Sequence, residues 1–114
     1  MGYYTYFKME MENLDNERIV TEEEVVEALV RESAWFDWAK GEKYFDNLFW
    51  DTLKWYDWEY DMKRVSLSFP NVVFTLTGRG EEYGDHWRCV FYKGKSFYSQ
   101  GKIVYDEPQE SFFE

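Results

Sequence analysis

Apolar and polar residues alternate at the start of the chain. Tyr3, Thr5, Phe7, Met9 and Met11 share one parity, and Tyr4, Tyr6, Lys8 and Glu10 the other. A period of two predicts a half-buried strand over Tyr3 to Met11. Polar residues Asn13 to Asn16 read as a turn. The period then changes to that of a helix. Thr21 with Glu24 three residues on forms a capping box, Val20 and Val25 are placed as a hydrophobic staple, and glutamates in the first turn suit the helix dipole. Val25, Val26, Leu29 and Val30 give this helix a core-facing stripe, and its end is expected near Glu32 or Ser33.

Five of the six tryptophans fall between Trp35 and Trp58. In that stretch Lys40-Gly41-Glu42 reads as a turn. Phe45, Leu48, Phe49 and Leu53 fit a helical face, while Phe49, Leu53 and Trp55 also fit a strand. A strand from Phe49 to Trp55, flanked by an aromatic loop, is the favoured reading. A second helix follows: Asp57 is the expected N-cap, and Trp58, Met62, Val65 and Phe69 make its buried stripe. Glu59 and Lys63 are spaced as an ion pair. Phe69-Pro70 ends the helix, because a residue before proline is pushed out of the α region. Three strands are then expected: Val72 to Thr77, His86 to Tyr92 and Ser96 to Tyr105. A Gly78 to Gly84 turn and a tight hairpin at Lys93-Gly94-Lys95 separate them.

This order predicts an α+β fold, a ferredoxin-like sandwich with an antiparallel sheet of four to five strands and two helices on one face. The other face is left open. Residues 1–106 form the expected single domain, and 107–114 an acidic tail in which Phe112 and Phe113 are able to dock.

Composition sharpens this outline. A chain of 114 residues supports one core, and 23% aromatics make that core ring-rich. No apolar run approaches the roughly 20 residues that span a bilayer. The single cysteine, Cys89, excludes an internal disulfide and an all-cysteine metal site, and suits a reducing cytoplasm. Net charge is -10 but unevenly spread: residues 62–105 hold three acids against seven bases. The balance disfavours direct nucleic-acid binding and favours a basic protein surface as partner. No motif asks for a cofactor or metal. Asp57, Glu59 and Asp61 with Glu81, Glu82, Asp85 and His86 form the best catalytic constellation, yet helix capping and a solvated turn account for most of it. Binding is the stronger reading, through surplus rings beside aspartates at Trp35, Trp38, Trp50, Trp55, Tyr56 and Trp58. A further mode is the open sheet face, where Arg88, Tyr92, Tyr98 and Lys102 are expected to gather rings and positive charge.

The run Lys54-Trp55-Tyr56-Asp57, Glu59, Asp61-Met62, then Ser66, Phe69-Pro70, Val72, Phe74, Leu76, Gly78, Gly80-Glu81-Glu82, Gly84-Asp85, Trp87 and Gly94-Lys95 resembles a family of small uncharacterised proteins of bacteria and their phages. It covers about the second half of the chain. Trp58 departs from that pattern, which more often has histidine there. The resemblance implies a ferredoxin-like module of phage type. It carries no activity, but its class implies an inhibitor of host defence of the anti-CRISPR or anti-restriction kind, acting on the basic surface of a nucleic-acid-handling complex. The alternative is a regulatory or small-ligand-binding domain, and a homodimer stays open. The residues expected to meet the partner are Trp55, Tyr56, Tyr60 and Asp61, with Glu81, Glu82 and Asp85.

Overall fold

The computed structural model describes residues 4–32, 50–53, 55–102 and 104–114, with the backbone alone at 50–53. Its elements in order are β1 (Thr5–Asn13), α1 (Glu22–Glu32), β2 (Trp50–Leu53), α2 (Trp58–Ser68), β3 (Val72–Gly80), β4 (His86–Tyr92) and β5 (Lys95–Gln100), then a short 3-10 turn at Glu110–Phe113. The strands form one five-stranded sheet in the order β2-β1-β3-β4-β5, every neighbour antiparallel. The α+β class and the open antiparallel sheet are therefore as expected. In a split β-α-β unit another strand separates the two that the helix joins. Here β1 and β2 are direct neighbours, with Thr5 opposite Leu53.

Alternation decides which side is covered. Phe7, Gly78 and Trp87 lie in one cross-strand row, Met9, Leu76, Cys89 and Tyr98 in the next, and Met11, Phe74, Phe91 and Ser96 in a third. Most of these side chains are buried beneath the helices. α1 adds Val25, Val26, Ala28 and Leu29, and α2 adds Met62 and Val65. Each large apolar side chain buried in this way contributes about 1.5–3 kcal/mol. The opposite parity, including Tyr6, Lys8, Thr75, Thr77 and Arg88, is half-buried or exposed.

Local chemistry fixes the connections. Asn13 clamps the β1–α1 loop: its Oδ1 accepts from the Val20 N–H at 2.8 Å and its Nδ2 donates to the Val20 carbonyl at 3.2 Å. Thr21 Oγ1 accepts from the Glu24 N–H at 3.3 Å, as half a capping box. The Glu24 carboxylate turns instead to Arg18, 3.2 Å away. At the β4–β5 hairpin Lys93 and Gly94 both take positive φ, 50° and 78°, the type I′ geometry that matches strand twist. The Gly94 N–H donates to Ser66 Oγ, and that hydroxyl donates to the Lys63 carbonyl, both at 2.8 Å. The hairpin tip is thus tied to the end of α2.

Several boundaries differ from expectation. β3 runs on through Gly80, because Gly78, Arg79 and Gly80 pair with Phe7, Tyr6 and Thr5. The turn is consequently shorter, held by Gly80 N–H to Asp85 carbonyl at 2.8 Å. β5 stops at Gln100, where the Gly101 N–H turns to the His86 carbonyl at 2.7 Å. Asp57 makes no side-chain cap, since its φ of -92° and ψ of 26° do not take the extended geometry of a capping residue. Glu59 accepts from Ser96 Oγ at 3.0 Å, a contact of α2 with β5 that the expected pairing with Lys63 did not foresee. Phe112 and Phe113 do not dock; they are 72% and 75% exposed and meet each other edge to face. The turn at residues 40–42, the rings of Trp35, Trp38 and Trp50, and the Phe45, Leu48 and Phe49 face lie outside the described residues and side chains.

Candidate functional site

Of the residues singled out around α2, two belong to the core. Trp55 is 2% exposed and packs its ring 5.4 Å from Phe7. Its indole N–H donates to Asp61 Oδ2 at 2.7 Å, and Asp61 is itself 4% exposed. A buried carboxylate needs donors to offset lost hydration, and the indole supplies one. Trp55 and Asp61 thus lie inside, where a docking surface would not reach them.

The rings beside them form a stack. Trp87 lies across Gly78, so close that a Cβ there would fall 2.1 Å from its ring. Trp58 stacks on Trp87 at 4.1 Å, and Tyr98 lies about as far from both, 6.1 and 6.0 Å. Tyr98 pairs with Cys89 in register and so stands on the helix side of the sheet. It does not join Arg88 and Tyr92 on the open face, and Lys102 lies beyond the end of β5. Burial, then the charge of Asp85, raises the Tyr98 pKa. Cys89 is fully buried, and burial followed by the charge of Glu59 pushes its thiol up to about 11. At neutral pH it is a protonated core thiol.

Outside this stack, Tyr56 and Tyr60 stand at the start of α2, each 63% exposed, around Asp57 and Glu59. Arg64 steadies Tyr60 from one turn on, with its guanidinium 5.3 Å from the ring centre. The same Arg64 bonds the Glu32 carboxylate at 2.6 Å and the Glu32 carbonyl at 3.3 Å, joining α2 to the end of α1. Leu67 continues the outward stripe at 65% exposure. Beside it α1 presents Glu22, Glu23 and Glu27 to solvent.

Glu81, Glu82 and Asp85 occupy the β3–β4 turn. Glu81 accepts from the Tyr4 N–H across the sheet end, and the carbonyls of Glu82 and Asp85 hold the turn. His86 begins β4 on the open face, opposite Arg79. Three carboxylates of the suggested catalytic set have partners of their own: Asp61 is bonded to Trp55, Glu59 to Ser96, and Glu81 to Tyr4. Among the described residues no three of His, Cys, Asp and Glu are gathered as metal ligands. No helix of the described residues is long and apolar enough to cross a membrane.

Sequence reasoning missed a depression on the open face, about 210 Å³ in volume and lined by Tyr6, Lys8, Thr77, Gly78, Arg79 and His86. Only the pairing of β1, β3 and β4 brings these residues together. No family model, curated protein or solved structure matches the chain.

Proposed function

We propose that the chain is a non-enzymatic protein-binding domain, a phage-encoded inhibitor that docks its acidic helix side on a basic nucleic-acid-binding surface of a host defence complex. The observation that carries this reading is the exposure of Tyr56 and Tyr60, at 63% each, at the start of α2 beside the exposed carboxylates of Asp57 and Glu59. Rings held out at low conformational cost supply contact area, and surrounding carboxylates steer a basic partner. The net charge of -10 acts in the same direction. The layer arrangement of the described residues, two helices over an open antiparallel sheet, supports a ferredoxin-like description of the fold. The β1–β2 pairing is the point at which that likeness is looser.

The test is recovery of a partner by tagged full-length chain from host lysate, across a salt series. A nucleic-acid-handling complex should be recovered, less of it as salt rises, and little of it by Tyr56→Ala/Tyr60→Ala. Recovery of no such complex, or equal recovery by the double variant, overturns the reading.

A further inference from the structure

On the sheet face away from the helices, cross-strand register sets Tyr6, Arg79 and His86 in one row and Lys8, Thr77 and Arg88 in the next. Five of these six line the depression of about 210 Å³, and Arg88 adjoins it opposite Thr77. Among the described residues, Lys8, Arg79 and Arg88 form no ion pair, although Arg18 and Arg64 both do. Arg79 is held over the Tyr6 ring at 5.2 Å, which fixes the direction of its guanidinium. Like charges on neighbouring strands repel, so holding three cations with no ion pair among the described residues costs stability unless an anion shares them. In a chain of net charge -10 these three cations stand together on one face of the sheet.

The basic patch is short. Two and four residues beyond Lys8 on the same face of β1 come Glu10 and Glu12. Each such step is about 7 Å, so a strand of several phosphates would soon lie over carboxylates. A compact anion feels a different field. Screening acts over about 8 Å at physiological salt, and the acids of the helix layer lie on the far side of the sheet. A water occupies roughly 30 Å³ of liquid volume, so the depression has room for an organic group beside one phosphate.

We propose that this depression binds a phosphate monoester of mononucleotide size. Arg79, Lys8 and Arg88 hold the phosphate, and the Thr77 hydroxyl and His86 imidazole offer further hydrogen bonds at its rim. The site is separate from the α2 tyrosines, so its loss leaves partner recovery unchanged.

Amide shifts of the full-length chain, followed by NMR during titration with adenosine 5′-monophosphate, test the proposal. Saturable shifts are expected at Lys8, Thr77 to Arg79 and His86 to Arg88. Adenosine and inorganic phosphate should each bind about tenfold more weakly. Arg79→Gln/Arg88→Gln should weaken binding by more than about tenfold. Both side chains are exposed, so thermal unfolding of that variant should be little changed. No saturable shift at about 10 mM nucleotide overturns the proposal, as does equal binding of adenosine or an unaffected double variant. A single-stranded oligonucleotide that binds these amides more tightly per chain than the mononucleotide would replace it with a polymer.

Discussion

Gly78→Ala is the sharpest probe of the ring stack. A Cβ at Gly78 would lie 2.1 and 2.2 Å from two carbons of the Trp87 ring and 2.6 Å from its nitrogen. Carbon atoms rest at about 3.5–4.0 Å, so the ring would have to retreat by about 1.5 Å. Trp58, stacked on Trp87 at 4.1 Å, and Phe7, edge-on at 5.9 Å, leave the ring little room to retreat. Overpacking costs about 1–3 kcal/mol, and each aromatic pair disturbed loses about 0.5–1.5 kcal/mol. Restricting the unfolded chain returns about 0.4–1 kcal/mol. The expected net loss is about 3 kcal/mol, a large share of a typical 5–15 kcal/mol. Urea unfolding measures it, and near-ultraviolet circular dichroism reports the Trp58–Trp87 stack directly. In a Trp87→Leu background the clash is absent, so the same alanine should cost little. A loss below about 1 kcal/mol in the native background, or an equal loss in both, would refute the reasoning.

Three further outcomes follow from the same contacts. Ser66→Ala leaves the Gly94 N–H without its acceptor at the hairpin, so stability should fall by about 1–3 kcal/mol with faster amide exchange at Gly94. An unchanged Gly94 exchange rate would count against that link. Asn13→Ala should speed exchange at Val20 and cost about 1–2 kcal/mol, because both backbone groups of Val20 lose their partner. Cys89 keeps its proton in the folded chain to about pH 11, whereas the unfolded thiol releases it near 9.0. Stability tied to this thiol is full below the unfolded value and falls as pH rises between the two, by about 2 kcal/mol at pH 10.5. Urea titrations at pH 8 and 10.5 should show that loss reduced in Cys89→Ala, and an equal loss in both proteins would contradict it.

What the sequence made legible was local. The alternation of β1, the stripe of α2 and the Lys93-Gly94 hairpin depend on residues a few positions apart, and the structure contains all three. Contacts across the sheet were harder to read. Trp55 and Asp61 looked surplus because neither fits the stripe of α2, yet they satisfy each other through a bend that periodicity does not describe. Trp58, which departs from the resembled pattern, finds its reason in Trp87, 29 positions away. Gly78 suggested a turn when read alone, whereas in the sheet it is the gap that admits an indole. The sequence alone does not carry the register that sets Tyr98 opposite Cys89, and that register, not its neighbours in the chain, puts its ring on the helix side. The exposed tyrosines of α2 were legible for the converse reason: once the buried stripe is assigned, Tyr60 is left on the outside, and Tyr56 precedes the helix.

The central claim is that the acidic helix side occupies a surface otherwise used by nucleic acid. Competition for the recovered partner tests it most directly. Labelled nucleic acid bound to that complex should be released as the chain is added, at about one chain per site. Tyr56→Ala/Tyr60→Ala should release little at the same concentration, while Arg79→Gln/Arg88→Gln should match the native chain. A stable complex holding partner, nucleic acid and chain together would contradict the account.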